Sequence, residues 1–154
     1  MAVPEVVPIA HEPDHRTDTI GRYADGQFLA TITYAVPDDA GRRLYGALHL
    51  FDAEGRHTAS DVWCAGTWDE QHDAPRDGDS PLARARSRMS ALLDALPRRA
   101  YGDIAVRPFH VTFDGVLFGL VTERHGEGEG EHDWAELLPD HLGFGAPWDG
   151  WYDT

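Results

Sequence analysis

The chain contains no lysine, a single cysteine (Cys64), and no apolar run near the ~18 residues that a transmembrane helix requires. A lone cysteine excludes an intramolecular disulfide, so the fold must be held by its core rather than by crosslinks. Without lysine, all 13 cationic side chains are Arg, a pattern that high-GC codon usage accounts for. Cations are also few beside the 27 acids, and the formal net charge is −14. Such a field repels phosphate backbones and anionic lipid, which disfavours nucleic-acid or membrane-surface binding and favours a basic partner. At the N-terminus, Glu5 stands where a signal peptide needs positive charge, and Pro4 and Pro8 interrupt the apolar stretch. No leader is expected, and the expected location is cytoplasmic.

What remains is enough for a folded chain. Leu, Ile, Val and Phe number 32 of 154 residues, and 16 aromatics, five of them Trp, add large apolar area. This length suits one domain spanning residues 1–154. Composition divides it into an extended entry segment (1–26), a core (27–123), an acidic linker (124–133) and a Trp-rich tail (134–154).

Periodicity places the elements. Val6 to Ile9 suggests a short edge strand. Gln27–Val36, Leu44–Asp52 and His57–Ala65 are rich in β-branched and aromatic residues and predict three strands. Residues 66–80 read as an acidic loop. Ser80-Pro81 is a helix-start signal, and Leu82, Ala85, Met89, Leu92, Leu93 and Leu96 then form one apolar helical stripe. Ile104–Phe113 and Val116–Glu123 predict a hairpin around Asp114-Gly115, the dipeptide favoured by a type I′ turn. That register pairs Phe113 with Val116, Val111 with Phe118 and Phe109 with Leu120, giving an apolar face on which the helix is expected to sit. The expected class is α+β: an antiparallel sheet of about five strands (βββ-α-ββ), one amphipathic helix on a face, and the tail across an edge or the other face.

Motifs for chemistry are scarce. His11-Glu12-Pro13-Asp14-His15 has the letters of a zinc-protease HExxH, but Pro13 forbids the helix that would put both histidines on one face. Gly126, Gly128 and Gly130 alternate with Glu127, Glu129 and Glu131, whose charge opposes a phosphate. Residues 69–80 fail as a calcium loop, with Ala74 and Ser80 where Gly and Glu are needed. Cys64 lies in a predicted strand and is expected to be a buried, inert thiol. No cofactor is expected. If a metal is held, His125 and His132, which flank the acidic linker, are the residues to test. The tail stands out: Trp134, Trp148, Trp151 and Tyr152 lie among Glu136, Asp140, Asp149 and Asp153. Aromatics bordered by carboxylates suit a partner-binding surface, but the role expected first is structural, with the tail wrapping back so that its Trp rings seal the exposed side of the sheet.

The runs RTDTIGRYADGQF (16–28), DVWCAGTW (61–68), YGDIAVRPF (101–109) and PWDGWYDT (147–154) resemble a group of proteins from high-GC filamentous bacteria that carry the label formate hydrogenlyase regulatory protein. The resemblance extends over nearly the whole chain and brings no catalytic residue with it. The expected function is a non-enzymatic, acidic binding or regulatory module, of the inhibitor or immunity type, acting on a basic protein. Its expected contacts are Trp134, Trp148, Asp149, Trp151 and Tyr152, with Glu127, Glu129 and Glu131. The alternatives are a small enzyme or ligand-binding protein with a pocket between sheet and tail that uses His110, and a metal-binding protein built on His125 and His132.

Overall fold

The computed structural model describes residues 3–37, 41–123 and 133–154. Strands dominate it: β1 (Val7–Ile9), β2 (Ile20–Tyr23), β3 (Gly26–Ala35), β4 (Arg43–Phe51) and β5 (His57–Thr67) precede two helices, α1 (Trp68–Asp73) and α2 (Pro81–Asp94). Six strands follow: β6 (Ala100–Tyr101), β7 (Ile104–Val106), β8 (Phe109–Phe113), β9 (Val116–Glu123), β10 (Trp134–Leu138) and β11 (Leu142–Phe144). The class is α+β, mostly sheet, with a five-stranded antiparallel sheet carrying a helix, as the sequence predicts. No helix among the described residues is long and apolar enough to cross a membrane.

The strands are distributed over more than one sheet. The five-stranded sheet has the order β5-β4-β3-β2-β6, and a second, four-stranded sheet runs β11-β10-β9-β8. A separate ribbon pairs β1 with β7. Alternation along β3 and β4 explains the layering. One face presents Phe28, Ala30 and Leu48 to Met89 and Leu93 of α2, while the other presents Tyr45 and Ala47 to Val116 and Phe118 of β9. The hairpin register is the predicted one, and Asp114 (φ 55°) and Gly115 (φ 76°) supply the positive φ values of its turn.

The helix, however, does not sit on the hairpin. The apolar face of β8-β9 is taken by the five-stranded sheet, and α2 packs on that sheet's opposite face, against β4 and β5. β4 carries Leu44, Leu48 and Leu50 on one face and Tyr45, Ala47 and Phe51 on the other and needs two covers, so the core has three layers. Gly46 lets the Trp63 ring lie against β4 beneath the helix: a Cβ at Gly46 would stand 2.2 Å from the ring. The predicted strand Ile104–Phe113 is also divided. Pro108 has no N–H to give to a ladder, and on either side of it β7 pairs with β1 while β8 pairs with β9.

Two polar groups join the layers. Asp114, at the hairpin turn, accepts hydrogen bonds from the Tyr45 hydroxyl (2.7 Å) and from Arg43 (2.9 Å). Burial, with the neighbouring carboxylate, pushes the Tyr45 hydroxyl pKa well above its ordinary value. Gln27 is 1% exposed, and its amide donates to Ala105 O (3.0 Å) and Asp52 O (3.2 Å) while accepting from Ala105 N (2.7 Å). It thus serves β7 as a stretch of backbone would, leaving no polar atom of its amide group unserved.

Part of the expected acidic loop is the short helix α1. Its signal is Thr67-Trp68-Asp69-Glu70, a reciprocal capping box that the composition of 66–80 obscures. Ser80 caps α2, with its Oγ accepting from Ala83 N at 3.0 Å. Ser80→Ala is expected to lower stability by about 1 kcal/mol, read as a shift of the urea midpoint at constant m-value. An unchanged midpoint would mean that Pro81 alone starts the helix.

Candidate functional site

The tail carries regular structure. It adds β10 and β11 to the hairpin, with Glu136 opposite Val121 on one side and Gly143 on the other. Along β10, Ala135 and Leu137 point inward and are buried, which leaves Trp134 and Glu136 on the outer face. The chain then returns: Asp153 and Gly143 exchange two backbone hydrogen bonds of 2.8 Å each.

These elements enclose an outward-opening cleft of about 340 Å³. Trp134 contributes an aromatic wall, Glu136 and Asp153 contribute carboxylates, and Gly143 leaves the space between them unfilled, while the Phe144 ring points inward to the buried cluster. His141, from the β10-β11 turn, places its Nδ1 2.5 Å from Glu136 Oε1. Glu136 is the more enclosed partner, with 18% side-chain exposure against 73% for His141. No Arg lines the cleft. An aromatic wall beside two carboxylates is suited to a cation, which the ring attracts through its quadrupole and the carboxylates through charge-assisted hydrogen bonds.

The other expected tail residues go elsewhere. Trp148 and Tyr152 pack on the buried cluster of the second sheet and the β1-β7 ribbon. Trp148 is held at φ 60°, and its buried Nε1 finds no partner among the described residues. The Tyr152 hydroxyl accepts from Arg16 N at 3.3 Å. Asp149 caps the Trp151 N–H (3.2 Å), and the Trp151 side chain is 58% exposed but outside the cleft. Glu127, Glu129, Glu131, His125 and His132 lie outside the described residues. Among the described residues no group of three or more His, Cys, Asp or Glu is arranged to hold a metal ion. His110 is exposed on the outer face of β8, opposite Gly119, and does not line the tail cleft. Cys64 is exposed rather than buried: it lies on β5, the edge strand of the five-stranded sheet, opposite Tyr45 of β4.

One cluster had no signal in the sequence. Ser60 Oγ lies 2.6 Å from His49 Nδ1 and 2.6 Å from His57 Nε2, and Phe109 stacks on His57 (4.9 Å) and meets His49 edge-on (4.8 Å). His49 and Ser60 are brought opposite each other by the β4-β5 register, which composition alone does not reveal. Burial, reinforced by His57, pulls the His49 pKa down to about 3, and burial lowers that of His57 as well. Both rings are neutral at pH 7. A hydroxyl between two neutral rings, roofed by Phe109, gives Nδ1 of a buried imidazole its hydrogen-bond partner.

No family model, curated protein or solved structure matches the chain.

Proposed function

We propose that the protein is a non-enzymatic acidic binding module, of the inhibitor or immunity type, that docks a basic protein segment through the tail cleft. The observation that carries this reading is the juxtaposition of Trp134, Glu136 and Asp153 around the side-chain-free Gly143. An Arg or Lys side chain from the partner lies against the aromatic wall, with its charged head between the carboxylates. The net charge of −14 raises the encounter rate with such a partner and makes it salt-dependent.

The test is calorimetric titration of an arginine-rich peptide, with its glutamate-substituted counterpart as control. Binding is expected at low ionic strength, weakening as salt rises, and absent for the acidic peptide. Gly143→Leu is the decisive variant. A Cβ there meets only Asp153 O, at 3.6 Å, so the strand accepts it while the longer side chain fills the cleft without changing any charge. It is expected to weaken binding at least ~10-fold, as is the double variant Glu136→Gln/Asp153→Asn. Full affinity in Gly143→Leu would overturn the assignment of the cleft, and no binding at low salt would overturn the function.

A further inference from the structure

Because α2 lies over β4 and β5, the helix-side face of β3 is left partly uncovered next to β2. The entry segment from His15 to Thr19 walls that space on one side, α2 walls it on the other, and Tyr101 of β6 closes the end. The result is a groove of about 440 Å³, larger than the tail cleft and within the range of small-molecule sites. Its floor is apolar: Ala30, Ile32, Met89 and Leu93.

The rim is unusual for so acidic a chain, since it carries Arg16, Arg86 and Arg99. Arg16 is engaged by Asp140 (3.2 Å), and Arg99 by Asp94 (3.4 Å) while lying 5.7 Å over the Tyr101 ring. Of the two rim acids, Asp94 is therefore paired, and Asp18 accepts from the Thr19 hydroxyl at 2.9 Å. Arg86 has no ion pair or hydrogen bond among the described residues. Ser90 follows it by four residues and so stands on the same helix stripe, which puts a guanidinium and a hydroxyl side by side at the edge of an apolar trough.

We infer that this groove is a second binding site, separate from the tail cleft, for a small amphipathic anion: an apolar or aromatic body on the Ala30-Ile32-Met89 floor, and a carboxylate or sulfonate held by Arg86 and Ser90. A guanidinium with no partner among the described residues has its donors available to an oxyanion, which it recognises in bidentate fashion. The apolar floor selects against small hydrated anions, which gain nothing from leaving water for it.

The probe is 1-anilinonaphthalene-8-sulfonate, an aromatic body with one anionic group, compared with the neutral N-phenyl-1-naphthylamine. Saturable fluorescence enhancement with one equivalent of the sulfonate is expected. Arg86→Gln is expected to weaken the sulfonate about 10-fold and leave the neutral probe unchanged. Ser90→Trp, on the exposed helix surface, fills the groove and is expected to abolish binding of both. Gly143→Leu is expected to change neither, which separates this site from the tail cleft. Absence of sulfonate binding, an equal effect of Arg86→Gln on both probes, or full binding by Ser90→Trp would each overturn the inference.

Discussion

Lowering the pH from 7 to 4 is expected to remove several kcal/mol of stability through His49 alone. The ring is 1% exposed, and its pKa is about 3 in the folded state, against an ordinary 6.5. A depressed folded value means that the unfolded chain takes up the proton first. The stability is therefore fully present above pH 6.5 and is lost as pH falls from there toward 3. Each pH unit in that window costs roughly 1.4 kcal/mol for one such group. His57, also lowered by burial, acts in the same direction. Carboxylates protonate over part of the same range, so the informative quantity is a difference between proteins. His49→Gln keeps a hydrogen-bonding group beside Ser60 but has no proton to gain. Its urea midpoint is expected to fall less steeply with pH than that of the wild type. Parallel curves would show that His49 is charged or solvated in the native state, as would movement of its ring NMR resonances above pH 4.

Phe118→Ala is expected to cost about 3–5 kcal/mol, the range for a fully buried aromatic. Phe118 is 0% exposed, and its ring meets Tyr45 at 5.8 Å in an edge-on arrangement. The loss should be felt between the sheets and not under the helix. In double-mutant cycles with the milder Phe118→Leu, a Tyr45 substitution is expected to couple by more than about 0.5 kcal/mol. Met89→Ala, in the layer across the five-stranded sheet, is expected to be additive. Strong coupling to Met89, with none to Tyr45, would place the helix on the hairpin after all.

That pair of residues also marks how far the sequence could be read. The hairpin register followed from Asp114-Gly115, and the stripe of α2 followed from its period, because both are local signals. Which apolar faces meet is a long-range choice. Phe118 and Val116 find Tyr45 and Ala47, more than sixty residues earlier, only because β4 is apolar on both sides. The tail strands were hidden for another reason: Trp134–Leu138 alternates well, but it gains its partners from β9, beyond the acidic linker. At the candidate site, Trp134 was recognisable as a surface aromatic near acids. The roles of Gly143 and Asp153 were not, since they depend on a backbone exchange between β11 and a bridge residue that no sequence pattern marks. The Arg-rimmed groove was invisible for the same reason: Arg16, Arg86 and Arg99 come from three separate segments.

The pairing of β1 with β7 has a consequence for how the molecule is made. Val7 has its ladder partner at Val106, and Ile9 at Ile104. At about 5–20 residues per second, a ribosome needs roughly 5–20 s to deliver that partner after the first strand has been synthesised. Through that interval Val7 and Ile9, both 0% exposed in the finished fold, have nowhere to go. The nascent chain must carry a bare hydrophobic segment, and Pro8, which cannot join a ladder through its nitrogen, guards it against pairing with a neighbouring polypeptide.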